Sequence, residues 1–403
     1  MQLLKYASFR YFFISEIFYC FAIGMGTVGA NWVIMDVTGS STLVGLLLTV
    51  NVLAGFFVSP IIGTFTDRTN RKILLMALYT FQIVSLFLLI FFILNFGITI
   101  FIIFLFAVIN GIGWTAYMST SRALMQEFLD ESLYLKGNSI IEISLQVGMF
   151  TAGAAAGILY EKIGFQGLLL LNMFAIIISL TALAFLKYKP KAIETQLNTF
   201  LKDIKNGFIY LGKEKVLFYF GIASILPSVA TMLFNVILPG YIINIIQEGS
   251  IIYGISDMAY GVGGFLSGIF AAIIIKYISE RILLPLTFSL IMSFLLILSI
   301  QNSTIILIII CFFFGFGNSS IRIWMNTRIM EYVPSQFIGR AIATWTAFSL
   351  LLQAVLSVCL GSFMDQTSES IGFLILTCLM GTGFIIVLKN NLITQISQSQ
   401  LDN

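Results

Sequence analysis

The sequence predicts an all-α polytopic membrane protein with twelve transmembrane helices, and composition is the first reason. Of the 403 residues, 59% are hydrophobic and 10% are charged, whereas a soluble domain has about 25% charged residues. A chain this long cannot bury so much apolar surface in one core and still coat itself with polar groups. A soluble enzyme, a disordered chain and a fibre are therefore excluded. Helices are favoured because membrane-spanning strands alternate polar and apolar residues.

The lengths of the apolar runs are the second reason. A helix needs about 20 mostly apolar residues to cross the hydrocarbon core. This length divides the chain into twelve segments, at 11–35, 41–65, 73–94, 98–121, 137–160, 165–187, 215–243, 251–275, 283–300, 304–327, 340–363 and 371–388. We do not expect the first segment to be a cleaved signal peptide, because its apolar run is too long and contains Glu16.

The longest polar stretch lies at the middle of the chain, with six apolar segments before it and six after. We therefore predict two six-helix bundles, at residues 1–187 and 215–403, joined by a cytoplasmic linker at 188–214. This plan is frequent in transporters. Apolar residues recur at helical spacing within 200–211, which fits either an amphipathic helix on the membrane surface or a solvated linker.

The basic residues predict the orientation, because lysine and arginine accumulate on the cytoplasmic side of a membrane. With both termini inside, nineteen of the 21 basic residues fall in inner segments and one, Lys162, falls in an outer loop. The remaining one, Arg322, lies in the tenth segment. We predict a multi-pass protein of the bacterial cytoplasmic membrane with cytoplasmic termini.

Several kinds of chemistry have no support in the sequence. The chain has no histidine, and its four cysteines are far apart without a CxxC pair, so we predict no metal site. It has no phosphate-binding loop and no dinucleotide turn. We expect no enzymatic activity, no cofactor and no nucleic-acid partner, with a proton gradient as the energy source.

A few ionisable residues lie inside the apolar segments, where their cost makes each a functional candidate. They are Glu16, Glu142, Asp257 and Arg322. Without histidine, the three carboxylates are the candidate proton carriers, since protonation could favour one conformation and couple a gradient to transport. Structural alternatives remain open: pairing for Glu16 and Asp257, an interfacial position or pairing with an arginine for Glu142, and a latch or interface anchor for Arg322.

The most specific local pattern joins the second and third segments, as Gly63-Thr-Phe-Thr-Asp67-Arg68-Thr-Asn70-Arg71-Lys72. Glycine allows two helices to approach closely, and a carboxylate can face the positive end of a neighbouring helix. The three basic residues can hold the turn at an anionic leaflet.

This pattern resembles the G-x-x-x-D-R-x-G-R-K signature of the major facilitator superfamily, which implies that superfamily's fold. Asn70 stands where the family often has glycine, and asparagine also tolerates a left-handed turn. The resemblance implies a gate in which Asp67 pairs with the start of the eleventh span, near Gly339 and Arg340. Pairing in the outward-open state and release on inward opening are likewise implied by the family.

Further likenesses point to a branch of the family. The turn at residues 36–40, the loop starting at Arg122 and the loop at 333–340 are similar to those of drug-efflux members, including macrolide and siderophore exporters. Spans one, four, seven and ten line the cavity in this superfamily. The implied lining residues are Trp32, Asn110, Trp114, Tyr117, Asn235, Asn318 and Arg322.

The function that follows is antiport export of a bulky amphipathic molecule, either a drug, with a role in multidrug resistance, or a siderophore. Aromatic walls with few polar groups suit such molecules better than sugars. A single arginine near the cavity favours neutral or cationic substrates. Two alternatives stay open: a lysophospholipid transporter of the same fold, and a non-transporting membrane scaffold. We expect a monomer that interacts with its substrate and the lipid bilayer.

Overall fold

The structure is a computed structural model that describes residues 7–129, 134–187, 215–332 and 335–401. Within these ranges it consists of long helices, most of them joined by short connections. The helices are α1 (Ala7–Thr38), α2 (Ser41–Arg68), α3 (Arg71–Phe96), α4 (Ile100–Phe128), α5 (Tyr134–Phe185), α6 (Lys215–Gly240), α7 (Ser250–Tyr277), α8 (Glu280–Ile300), α9 (Thr304–Tyr332), α10 (Ser335–Met364) and α11 (Glu369–Leu401).

The predicted fifth and sixth spans form the single long element α5, which is broken at one residue. Gly164 has φ of 62°, a left-handed conformation that glycine adopts without a Cβ clash. The chain reverses there, so that both arms of α5 pack against α1. On the returning arm, the Ser179 hydroxyl lies 2.8 Å from the Ser15 hydroxyl.

Eleven helices within the described ranges are long and apolar enough to cross a membrane. The apolar part of α5, Ile143–Phe185, has 43 residues and accounts for two crossings of about 20 residues each. The prediction of an all-α membrane protein with twelve spans is therefore confirmed. The proposed amphipathic segment at 200–211 lies outside the described residues.

The chain divides into two compact units. The first comprises Met1–Leu197 with Glu248–Met258, and the second comprises Asn198–Gln247 with Ala259–Asn403. In the first unit, α1 packs on α5, α2 on α4, and α3 on both α4 and α5. In the second, α6 packs on α9, α10 and α11, and α8 packs on α9 and α11. The bundle limits at 187 and 215 stay a prediction.

A matched close helix crossing occurs in each unit. In the first, a Cβ at Gly111 of α4 would collide with the carbonyl oxygen of Asn51 in α2. In the second, a Cβ at Gly315 of α9 would collide with the carbonyl oxygen of Tyr260 in α7. Backbones approach this closely only where a residue lacks a side chain. The same packing solution therefore appears in both halves of the sequence.

The outer surface of α3 shows how the helices meet lipid. Phe81, Val84, Phe87, Leu88 and Phe91 are all exposed, each by about half of its surface or more. In water such a continuous apolar face would be costly. Lipid tails solvate it, as the prediction of a membrane protein requires.

Candidate functional site

Glu16 lies at the centre of a buried polar cluster in the first unit. Its side chain is 1% exposed. The Tyr117 hydroxyl donates a hydrogen bond to Oε2, and the Ser121 hydroxyl donates one to Oε1 at 2.7 Å. Both donors come from α4, where they are four residues apart and so share a face. The structure thus brings α1 and α4 together around one carboxyl group.

Three further side chains complete what we call the Glu16 cluster: Glu16, Tyr19, Cys20, Gln82, Tyr117 and Ser121. The Cys20 sulfur lies 3.2 Å from the Tyr117 hydroxyl, and the Tyr19 hydroxyl donates to Gln82 Oε1 at 2.9 Å. The Tyr19 and Tyr117 ring centroids are 4.5 Å apart. All six side chains are buried, so packing as well as hydrogen bonding holds the carboxyl group in place.

The cluster gives Glu16 the means to hold or release a proton. Two hydroxyl donors stabilise the ionised carboxylate, whereas exclusion of water disfavours any charge. No ion pair joins Glu16 to a lysine or arginine among the described residues, although Arg122 supplies positive charge at longer range. A carboxylate without a fixed counter-ion can change its charge state without breaking an ion pair.

Asp257 occupies a different position in the first unit, on the first turns of α7. Its Oδ2 atom lies beside Gly153 of α5, at a place where a Cβ on that glycine would collide with it. Asp257 is half-buried and makes no hydrogen bond or ion pair with the described residues. One turn earlier, the Tyr253 ring packs 5.3 Å from the Trp32 ring. Asp257 is therefore a second candidate proton carrier, at a close helix crossing.

Of the two remaining predicted residues, Glu142 and Arg322, the structure describes the side chain of Arg322 only. Glu142 lies in the first arm of α5, but its side chain is outside the described part of the structure. Arg322 is exposed, and it lines a cavity of about 290 Å³ in the second unit. The cavity is lined by Ser224, Ile225, Ser228, Arg322, Asn326, Trp345, Thr346, Ser349, Leu350 and Gln353.

The predicted cavity residues of the first unit are mostly packed against protein. Tyr117 belongs to the Glu16 cluster, and the half-buried Trp114 ring lies 6.0 Å from the Tyr117 ring. Asn110 is buried and donates to the Thr27 hydroxyl at 3.0 Å. Trp32 is also buried, at 4% exposure. These side chains shape the interior of the unit.

In the second unit, Asn318 organises a small polar group. Its amide nitrogen lies 2.9 Å from the Pro227 carbonyl oxygen and 2.7 Å from the Thr231 hydroxyl. The Tyr260 hydroxyl is 3.2 Å from the same nitrogen. The group joins α6, α7 and α9. The remaining predicted lining residue, Asn235, is half-buried and has no hydrogen bond among the described residues.

The connection between α2 and α3 is held by two of its basic residues. Arg71 Nη1 lies 3.2 Å from Glu127 Oε1 and donates to the Ala123 carbonyl at 3.1 Å. Lys72 Nζ donates to the Ala184 and Leu186 carbonyls at 2.8 and 2.7 Å. Lysine is favourable there because the end of a helix presents unpaired carbonyls. Lys72 therefore caps the second arm of α5, where the sequence had indicated only an anchor to lipid.

The structure bears on two of the roles predicted from the signature. For Gly63, nothing among the described residues outside its own helix backbone lies within 4 Å of the position of a Cβ, and the predicted close helix approach stays a prediction. Asn70 has φ of −62°, not a left-handed conformation, and its side chain caps α3 by accepting hydrogen bonds from the Lys72 and Ile73 amides. Asparagine is favoured at a helix start for this reason.

The predicted gate is only partly within the described structure. Arg68 is exposed at the end of α2. The side chains of Asp67 and Arg340 and the surroundings of Gly339 are outside the described part, and the pairing stays a prediction.

Sequence reasoning missed most partners in both sites, although a simple signal was present. In the second-unit cavity six of the polar residues fall in pairs four apart: Ser224 with Ser228, Arg322 with Asn326, and Ser349 with Gln353. Residues four apart lie on one helix face. A search for such pairs in apolar helices would have found this cavity, and also Tyr117 with Ser121.

A multi-pass helical fold with ionisable side chains held inside it is typical of membrane transporters. The chain belongs to the major facilitator superfamily, whose sequence profile matches residues 12–357. This membership confirms an integral membrane transporter and not an enzyme.

Solved structures show the same fold. The nucleoside transporter NupG is 14% identical with a TM-score of 0.73, over 95% of this chain and 98% of that one. A mutant of NupG gives a TM-score of 0.75. A bacterial homologue of the human lysosomal transporter Spinster, in an inward-facing and unoccupied conformation, is 12% identical with a TM-score of 0.66, over 97% of this chain and 95% of that one. Curated protein sequences include no significant match.

Proposed function

We propose that the protein exports a bulky amphipathic molecule, a drug or a siderophore, across the bacterial cytoplasmic membrane by proton antiport. Both termini face the cytoplasm, the protein acts as a monomer, and the proton gradient takes the place of any cofactor. The observation that carries the proposal is the Glu16 carboxyl group, buried and hydrogen-bonded but without an ion-paired partner among the described residues.

Proton coupling follows if the Glu16 carboxyl group binds and releases a proton during transport. A bound proton neutralises the carboxyl group, and its release leaves a charge that the Tyr117 and Ser121 hydroxyls stabilise. The two forms differ in their contacts with α4, so each favours a different arrangement of α1 against α4. Alternating protonation on the two sides of the membrane would then drive alternating access.

The experiment measures proton movement coupled to substrate. Purified protein is reconstituted in liposomes with the pH dye pyranine inside, and erythromycin, ethidium or enterobactin is added under an imposed pH gradient. We expect the wild-type protein to move protons across the liposome membrane when at least one of these compounds is added. Glu16→Gln should lose at least about 90% of this proton flux. Asp257→Asn tests the second carboxylate in the same way.

The matched control is Glu161→Gln, which removes an exposed carboxylate at the end of the first arm of α5. Its proton flux should equal that of wild type. Substrate exchange without a gradient should persist in Glu16→Gln, which separates lost coupling from lost folding. Full gradient-driven transport in both Glu16→Gln and Asp257→Asn would refute proton coupling through these groups.

A lipid substrate is the second candidate, favoured by an apolar cavity in the second unit. This cavity of about 460 Å³ lies between α6, α10 and α11, and its size and lining suit an acyl chain. Its lining residues include Leu233, Leu356, Leu360, Phe363, Ile375 and Leu379. Movement of a fluorescent lysophospholipid between leaflets of the same liposomes, inhibited by a Leu356→Trp substitution, would support this function. Absence of such movement would exclude it.

A further inference from the structure

The polar cavity of the second unit contains one kind of charge. Among the described residues of its lining, Arg322 is the sole ionisable one, and the others have hydroxyl, amide or apolar side chains. Arg322 lies in the membrane-spanning part of α9, six residues before the end of that span at Arg328. The cavity therefore places a permanent positive charge within the protein at membrane depth.

This charge has no carboxylate to balance it among the described residues. Arg322 is exposed to the cavity and makes no ion pair or hydrogen bond there. An uncompensated arginine inside a membrane protein is costly, and such residues are kept where a ligand or a pathway requires them. The arginine is therefore available to a molecule that enters the cavity.

The neighbouring side chains add hydrogen-bond donors on the same faces. Asn326 is one turn from Arg322, and Ser228 is one turn from Ser224. Ser224 is already bonded to the Gly221 carbonyl, at 2.7 Å. Gln353 is bonded to the Ser349 hydroxyl, at 2.9 Å. This leaves the Arg322 guanidinium with the Asn326 amide and the hydroxyls of Ser228 and Thr346, a donor set suited to the oxygen atoms of an anion.

Size limits what the cavity can hold. Its volume of about 290 Å³ is at the lower end of the range for sites that enclose a whole drug-sized ligand. A bulky molecule would therefore place only one group in it. Trp345, Ile225 and Leu350 provide the apolar part of the lining, against which the adjoining carbon skeleton can pack.

We infer that this cavity binds an anionic group, a carboxylate or a phosphate, of the transported amphiphile, with Arg322 as the residue that selects for it. The inference rests on the proposed export function and names the charge of its substrate. It replaces the expectation from sequence that a lone arginine favours neutral or cationic compounds. No carboxylate among the described lining residues neutralises that arginine.

The test compares two dyes that differ in one charge. Rhodamine B has a free carboxylate, and its ethyl ester has the same ring system without it. Their binding to purified protein in phosphatidylcholine nanodiscs is measured by fluorescence anisotropy. We expect wild type to bind rhodamine B about tenfold more tightly than the ester, as a charged hydrogen bond allows. Arg322→Gln should lose this preference and Arg322→Lys should keep part of it.

The control variant is Arg281→Gln, the same substitution at an arginine of the second unit outside the cavity. It should keep the full preference for rhodamine B. Equal binding of the two dyes by wild type, including no binding of either, overturns the inference, as does a preference that survives in Arg322→Gln. Because no gradient is present, the result is independent of proton coupling, which Glu16→Gln tests separately.

A further arm separates a substrate anion from a lipid headgroup. Adding phosphatidylglycerol to the nanodiscs supplies a phosphate in the bilayer itself. If rhodamine B binding to wild type then weakens while binding to Arg322→Gln does not, the same site also accepts lipid phosphate. If binding is unaffected, the site is reserved for anions that enter from water.

Discussion

The ion pair between Arg71 and Glu127 supports a quantitative prediction about the stability of the first unit. The Glu127 side chain is 6% exposed and that of Arg71 is 27% exposed, with 3.2 Å between their charged atoms. Arg71→Met keeps the length of the side chain but leaves Glu127 as a nearly buried carboxylate, whose Oε2 atom has no hydrogen-bond partner among the described residues. Loss of one partner of a fully buried pair costs about 3–5 kcal/mol. The partial exposure of Arg71 places the expected cost at about 3 kcal/mol, the lower end of that range.

A double-mutant cycle separates the ion pair from the other contacts of Arg71. Glu127→Gln should cost less, about 1–2 kcal/mol, because a neutral amide tolerates burial better than a charge. Arg71 also donates to the Ala123 carbonyl, and that bond is lost in the Arg71→Met single mutant and in the double mutant alike. The double mutant should therefore be more stable than the sum of the single costs predicts, by about 1–2 kcal/mol.

The assay is thermal unfolding of purified protein in detergent, followed by intrinsic fluorescence. A cooperative unit of about 200 residues loses roughly 2–4 °C of Tm per kcal/mol. Arg71→Met should then lower Tm by about 6–12 °C. Exposed Arg68 of the same connection provides the control, and Arg68→Met should change Tm by under about 2 °C. Strictly additive effects of Arg71→Met and Glu127→Gln would refute the assigned pairing.

Three further substitutions test other contacts. Asn70→Ala removes the cap of α3 and should cost about 1 kcal/mol, measured by the same unfolding assay, whereas Asn70→Asp keeps an acceptor and should be near neutral; an equal loss in both would contradict the capping role. Gly111→Val places a side chain against the Asn51 carbonyl, so we expect loss of monodisperse protein on size-exclusion chromatography; a normal profile would show that the crossing can relax. Ser121→Ala removes one of two hydroxyl donors to Glu16 and should slow substrate-driven proton flux severalfold without abolishing it, which a flux equal to wild type would contradict.

The number of spans and the identity of the central carboxylate could be predicted because both depend on single-residue properties. An apolar run of bilayer length indicates a membrane-spanning helix. An acidic residue in such a run, such as Glu16, stands out because placing its charge in the membrane costs free energy. Neither conclusion requires knowledge of which helices touch.

The residues around Glu16 could not be predicted from the sequence, because they depend on how the helices pack. Gln82 and Ser121 approach α1 only because α3 and α4 are arranged around it, and nothing in the sequence of α3 marks Gln82 as a partner of Tyr19. Local reasoning about the connection between α2 and α3 failed for a related reason. Asparagine is used both in left-handed turns and at helix starts, and at Asn70 the start of α3 determines its role.

The single-residue turn at Gly164 has a consequence for how the protein is made. The second arm of α5, residues 165–185, contains no charged residue, whereas the first arm contains Glu142, whose insertion into a bilayer is unfavourable. With one residue between them, the arms leave the ribosome in quick succession and can enter the membrane as a hairpin. The second arm then compensates for the acid of the first during biogenesis. A long hydrophilic insertion at Gly164 would separate the two events and leave the first arm to partition alone.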